Sequence, residues 1–368
     1  MKKVIIISCT IIILIIRLFP ESEFSGYYEN RFFLIFNTIE THQSDNNFLT
    51  GDYNRLRLKL RTSPSEKVKI NLAVDFFSFY GSLLTPVGIS DSTSGDLSGN
   101  DMKIDLDRVY ADIHFKNFDL SVGKQRIAMG VSYLWSPLDI FNRVNFMEPK
   151  EEKPGVNAVK LYAPVGKKKS VTAVFLPSDD LNSSGKALRF SWTLLNIDAG
   201  FTYINGYQNF NNVLGFDLRG ENLIGWWIEY GSFRTVSGNY EKVVLGMDYT
   251  FPIGSGLYLL SEYLHDCGGN EDFHNYDYDL IRKGERFILG RNYIFSMLRY
   301  GLSNFASLSI SYIGNVDDGS YLINPALSYE IFQNISITSG LYIPMGRSGG
   351  ELNMRGLGAF FLWLKINF

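Results

Sequence analysis

The chain has 368 residues, too many for one small core and enough for one large closed barrel or two ordinary domains. A formal net charge of -3, with 45% apolar and 20% charged residues, gives no reason to expect a nucleic-acid partner. The two cysteines, Cys9 and Cys267, fit no zinc motif, and nothing in the sequence asks for a metal or a cofactor.

At the N-terminus, Lys2 and Lys3 precede an apolar run from Val4 to Ile16. The run is short for a spanning helix and suits the core of an export signal. Residues 1–22 are read as a cleavable signal peptide, cut between Pro20 and Ser25, and residues 23–368 as one barrel domain. Cys9 leaves with the signal, so Cys267 stays unpaired. No later apolar run reaches the roughly 20 residues of a membrane helix.

The remainder is a series of alternating segments. Leu56, Leu58 and Leu60 point one way, and Arg55, Arg57, Lys59 and Arg61 the other. Four like charges on one strand face stay hydrated against a water-filled lumen while the leucines meet lipid. The next segment sets Val68, Ile70, Leu72, Val74 and Phe76 against Lys67, Lys69, Asn71 and Asp75. Leu188, Phe190, Trp192 and Leu194, and later Leu308, Ile310 and Tyr312, repeat the pattern around Arg189 and serines. The spans predicted as strands are 24–36, 52–62, 67–80, 103–115, 118–130, 156–164, 169–177, 187–195, 197–206, 211–220, 222–233, 241–251, 256–266, 286–301, 305–314, 320–332, 334–343 and 355–367.

Their connectors alternate in kind. Tight ones such as Lys116-Asn117 and Ser303-Asn304 take turns with longer polar ones at 37–51, 81–102, 131–155, 178–186, 267–285 and 344–354. Short periplasmic turns alternating with longer external loops define an up-and-down outer-membrane barrel. The fold class is therefore all-β, a transmembrane antiparallel barrel of about 18 strands, with 16 as the alternative. The aromatic content of 15% fits girdles at the two interfaces.

The fifth span poses a problem. Leu120 and Val122 turn even positions to lipid, which would expose Lys124 and Arg126. Charge on the lipid face costs about 2–4 kcal/mol at the midplane. A bulge near Gly123 is expected to switch the faces, sending Ile127 and Met129 outward and Lys124 and Arg126 inward. Arg55, Arg57, Lys59, Arg61, Lys67, Lys69, Arg108, Lys124 and Arg126 then line the pore as a basic patch. Asp75, Asp112, Asp217, Glu229, Asp248, Glu262 and Glu330, on other inner faces, counter any strong anion selectivity.

The last span alternates Phe360, Leu362, Leu364 and Ile366 with other residues and stops on Phe368. It resembles the C-terminal strand of outer-membrane proteins, which implies that the barrel assembly machinery reads Phe368 as an insertion signal. The stretch Val122-Gly123-Lys124-Gln125, followed by Trp135-Ser136-Pro137-Leu138-Asp139-Ile140-Phe141-Asn142, is similar to a segment of porin-like barrels. That resemblance covers about 40 residues and implies that the 131–155 loop folds inward as a constriction. Trp135, Asp139, Arg143, Glu148, Lys150, Glu151, Glu152 and Lys153 are its candidate residues.

The leading expectation is a porin for passive diffusion of small hydrophilic solutes or ions, set in outer-membrane lipid and lipopolysaccharide. Self-association into a homo-oligomer stays open. Two other classes remain. One is a structural or adhesive barrel with external binding loops. The other is a surface hydrolase built on His265 with Asp266, or on His274 with Glu271 and Asp272. The sequence contains no H-E-x-x-H motif. A soluble periplasmic β-protein would require the leucine faces to pack in a dry core.

Overall fold

Side chains that alternate with a period of two give each span two chemically different faces, and strands with such faces pair edge to edge. The computed structural model describes residues 22–37, 49–81, 101–142, 153–181, 183–236, 238–282, 286, 288–354 and 356–368. They form eighteen strands in one antiparallel sheet. In chain order these are β1 (Glu23–Asn37), β2 (Leu49–Ser65), β3 (Val68–Gly81), β4 (Asp101–His114), β5 (Asp119–Gln125) and β6 (Val156–Pro164). Next come β7 (Lys169–Leu176), β8 (Gly185–Leu194), β9 (Ile197–Tyr207), β10 (Phe210–Glu221), β11 (Gly225–Thr235) and β12 (Gly238–Phe251). The last are β13 (Leu257–Asp266), β14 (Asn292–Gly301), β15 (Ala306–Asn315), β16 (Ser320–Phe332), β17 (Ile335–Gly346) and β18 (Leu357–Asn367).

Each strand pairs with its successor, and β18 returns to β1 from Tyr27↔Asn367 to Asn37↔Leu357, which closes the barrel. At this seam Gly26 N donates to Phe368 O at 2.8 Å, and Phe368 N donates to Gly26 O at 3.0 Å. Closure leaves no unpaired strand edge, the condition for a sheet to stand in lipid. The exposed side chains confirm which surface faces lipid. Leu188 and Phe190 of β8, Leu214 and Phe216 of β10, Leu245 and Met247 of β12, and Leu308 and Ile310 of β15 are exposed. Ala187, Val213, Val244 and Ile313, on the opposite face of the same strands, are buried. This is the architecture of a multi-pass outer-membrane β-barrel.

The connectors sort by end. One end carries tight turns, such as Leu195-Asn196, whose φ values of +51° and +64° suit a two-residue hairpin. The other end carries the long connections, including 126–155 and 267–291, together with two-residue ones after β9 and β11. The eighteen-strand count matches the sequence expectation. The proposed signal segment, up to residue 21, lies outside the described residues.

Three local expectations are corrected. First, β5 ends at Gln125, not at 130, and the chain leaves the sheet there. Second, β5 contains no bulge: its register with β4 and β6 runs without a shift, although Gly123 adopts φ +124°. The extra residue lies one strand earlier. Ala73 faces Arg108 and Val74 faces Leu106, so Asp107 is inserted into β4. Leu106 and Val109 both remain exposed, and Asp107 is buried. Ile127 and Met129 are buried at 2% exposure instead of facing lipid, because they lie beyond the end of the strand. Third, β14 starts at Asn292, and the residues before it belong to a loop with a short helix, α1 (Tyr278–Arg282).

Candidate functional site

Where β5 ends, the backbone N–H groups lose their sheet partners and need others. Two buried carboxylates on the wall supply them. Glu229 of β11 accepts from Val131 N and Ser132 N at 2.8 Å, Leu138 N at 2.9 Å and the Ser136 hydroxyl at 2.6 Å. Glu262 of β13 accepts from Leu134 N and the Trp227 indole N–H, both at 2.8 Å, and from Tyr133 N and Trp135 N. These two acids are fully buried and hold the segment instead of facing open water. Charge-assisted bonds of this kind contribute about 1.5–3 kcal/mol each.

Apolar contacts follow the same seat. Ile127, Met129, Leu138 and Phe141 pack with Ala158, Val174, Ala187, Ile204, Val213 and Phe233 of the wall. Leu134 and Trp135 pack with Trp227, Val244, Leu260, Leu264, Phe295 and Met297, joined by Ile288 of the 267–291 loop. The Tyr133 ring stacks on Phe295 at 5.9 Å, and Trp135 meets the edge of the same ring at 6.2 Å. Every one of these wall residues belongs to the face opposite the exposed apolar side chains.

Of the candidate constriction residues, Trp135 and Asp139 are buried. Asp139 forms an ion pair with Lys153, and Asn142 donates to Pro154 O, so the two ends of the segment meet. Burial raises the Asp139 carboxyl above the usual range, and Lys153 and Arg126 act against that shift. Arg143, Glu148, Lys150, Glu151 and Glu152 lie outside the described residues. A crevice of about 210 Å³ opens between the segment and β6–β7, lined by Arg126, Ile127, Ala128, Met129, Lys160, Tyr162 and Thr172.

The basic row divides by burial. Arg55 grips Asp75 with two bonds of 3.0 and 2.9 Å. Arg57 has no exposed surface and bonds both Asp75, at 3.2 Å, and Asp107. Asp107 also accepts from Gly155 N at 2.9 Å, which ties the far end of the 126–155 segment to the wall. The β4 bulge makes this arrangement, because it turns an extra carboxylate toward Arg57. Lys59 lies over the Tyr27 ring at 5.6 Å. Arg61, Lys67, Lys69 and Arg126 are exposed, and Arg108 and Lys124 are half-buried. Lys124 reaches back to Asp105 at 3.4 Å.

Three of the four remaining inner acids are engaged as well, and the fourth, Glu330, is exposed. Asp217 takes two bonds from Arg189, at 2.6 and 2.8 Å, while Arg189 also donates to Met129 O at 2.6 Å. Asp112 accepts from the Ser121 hydroxyl at 2.5 Å, and Asp248 from Tyr258 at 2.9 Å. Sequence placed these acids on inner faces and missed their role as anchors. The only signal was a lone acid among aromatics, as in Trp227-Ile228-Glu229-Tyr230.

At the long-loop end, Glu351 joins three connections. It accepts from Asn315 Nδ2 at 2.8 Å, Leu289 N at 3.0 Å and the Tyr293 hydroxyl. His265 contacts Asn292 and exposed His274 contacts Asp272, both at 2.8 Å. No group of three or more His, Cys, Asp or Glu side chains suited to a metal occurs among the described residues.

Comparison with solved structures gives the fold a relation. OpdQ of Pseudomonas aeruginosa superimposes with a TM-score of 0.60 at 11% identity, over 95% of this chain and 99% of that one. The chain has a porin fold. A BenF-like porin from Pseudomonas fluorescens Pf-5 gives a TM-score of 0.62 at 9% identity, over 95% and 99% of the two chains. OccAB1 of Acinetobacter baumannii gives 0.61 at 8% identity, over 95% and 97%. No family model and no curated protein matches the sequence.

Proposed function

We propose that this porin-fold barrel is an outer-membrane channel for passive diffusion of small hydrophilic solutes or ions, narrowed by the segment after β5. The observation that carries this reading is the pair of buried carboxylates, Glu229 and Glu262. They stand on the face turned away from lipid, and eight hydrogen bonds run to them, seven of them from residues 131–138. A segment bound there takes up part of the bore. Asp139, Lys153 and Trp135 would then stand in the constriction, with Arg143, Glu148, Lys150, Glu151 and Glu152 continuing it.

In this reading eight of the nine basic residues split into two roles. Arg55 and Arg57 act through Asp75 and Asp107 to stiffen the wall. Lys59, Arg61, Lys67, Lys69, Arg108 and Arg126 keep accessible surface and set the field met by a solute, whereas Lys124, expected inward through a β5 bulge that is absent, stands opposite exposed Val109. Phe368, bonded at the seam, would be the residue read by the assembly machinery.

Single-channel recording in a planar bilayer tests the channel. Discrete conductance steps are expected, and Glu229→Ala with Glu262→Ala should enlarge them by freeing the segment. A barrel that stays silent at all voltages refutes the proposal. Silence would favour a structural barrel with external loops, a reading that rests on the burial of Leu134, Trp135 and Ile288 against one side of the wall.

A further inference from the structure

On the lipid-facing surface, five polar residues form one continuous row across neighbouring strands. Lys186 of β8 faces Asn205 of β9, Asn205 faces Asn212 of β10, Asn212 faces Arg234 of β11, and Arg234 faces Asn239 of β12. Directly opposed residues share a face. The next row toward the turn end contains exposed Leu188, Tyr203 and Leu214, and the one beyond it exposed Phe190, Phe201 and Phe216. The row thus caps an apolar, aromatic band at the long-loop end, where lipid headgroups begin.

Lys186 and Arg234 are exposed, and neither forms a hydrogen bond or an ion pair among the described residues. Strands lie about 4.8 Å apart, so three strand spacings put the two cations roughly 14 Å apart along the sheet. The amides between them are pre-set. Asn212 Oδ1 accepts from the Tyr203 hydroxyl at 2.7 Å and from Asn205 Nδ2 at 3.0 Å, which turns the Asn212 amide nitrogen away as a free donor. The nearby acid on this face, Glu241, sits one row lower and is engaged by Tyr230. The connections above β9–β10 and β11–β12 have only two residues each, too few to cover the row.

We propose that this row is a docking site for a phosphorylated glycolipid of the outer leaflet, with a phosphate at each cation and sugar hydroxyls over the amides. The spacing selects a headgroup anionic at both ends and hydroxylated between. The aromatic rows below receive its acyl chains. Desolvated by the headgroup layer, a guanidinium–phosphate contact is stronger than in water.

The test uses the full-length folded barrel in mixed micelles, titrated with purified lipid A and with the same lipid after its phosphates are removed. Binding is read by native mass spectrometry. At least a tenfold preference for the phosphorylated form is expected. Lys186→Gln with Arg234→Gln should abolish that preference, whereas Lys186→Arg with Arg234→Lys should keep most of it. Lys169→Gln, at the opposite end of the barrel, should change nothing. Equal binding of the two lipids by the unaltered protein overturns the proposal, independently of how any variant folds. A full preference retained by the double Gln variant overturns it as well.

Discussion

Leu138, on the segment after β5, is packed directly onto Gly215 of β10. A side-chain carbon at Gly215 would stand 2.0 Å from Leu138 Cδ2, and Leu138 itself has no exposed surface. Glycine is needed here for close approach, since its φ is ordinary. Gly215→Val should therefore push the segment off the wall and cost about 1–3 kcal/mol, the usual price of overpacking. Urea unfolding of the folded barrel checks the stability, and a larger conductance step checks the displacement. An unchanged conductance would separate the segment from the bore.

Arg57 and its carboxylates should behave as a buried ion network. Breaking one side of such a network costs about 3–5 kcal/mol, because a charge stays behind without its partner. Asp75→Asn takes their shared counter-charge away from both Arg55 and Arg57. A lower urea midpoint of that size is expected, with conductance nearly unchanged. Loss of conductance without loss of stability would instead put this network in the solute path.

Asp139 gives a pH dependence with a definite sign. Its carboxyl is raised by burial, so the folded protein binds that proton more tightly than the unfolded chain. The stabilising contribution is complete at acid pH, below the unfolded value, and is lost as pH rises through the folded value. Relative to Asp139→Asn, the unaltered protein should therefore become less stable from acid toward neutral pH. Unfolding midpoints measured across that range check it; the opposite slope would mean that the Lys153 pair outweighs desolvation.

Removal of Phe368 should act on assembly more than on the finished barrel. The deletion loses the two backbone bonds to Gly26 at the seam, about 0.5–1.5 kcal/mol each. Refolding into detergent should therefore still succeed. In cells, the fraction of folded, heat-modifiable barrel should fall several-fold. Equal cellular yields would remove Phe368 from the insertion signal.

The β5 region shows where sequence reasoning stopped. The conflict between Leu120 and Val122 on one side and Lys124 and Arg126 on the other was visible in the chain. Its resolution was not: the early end of β5 takes Arg126 out of the sheet, while Lys124 stays opposite Val109 near the end of the strand and reaches Asp105 of β4. The β4 bulge and the early end of β5 both depend on neighbours: Asp107 is drawn to Arg57, 50 positions away, and Ile127 finds its place on the wall of β6–β10.

What the sequence determined by itself is the barrel. A strand must alternate its side chains, a lipid face must be apolar, and a sheet in lipid must close, so alternation and connector length were enough for a closed barrel of about eighteen strands, with sixteen as the alternative, and for the faces of most of them. Tertiary structure alone decided what the inner acids do. Glu229 meets Val131 across 98 positions, and Glu262 meets Leu134 across 128. Period-two patterning reports which face a carboxylate occupies. It carries no information on which distant N–H groups will reach that carboxylate once the chain leaves the sheet.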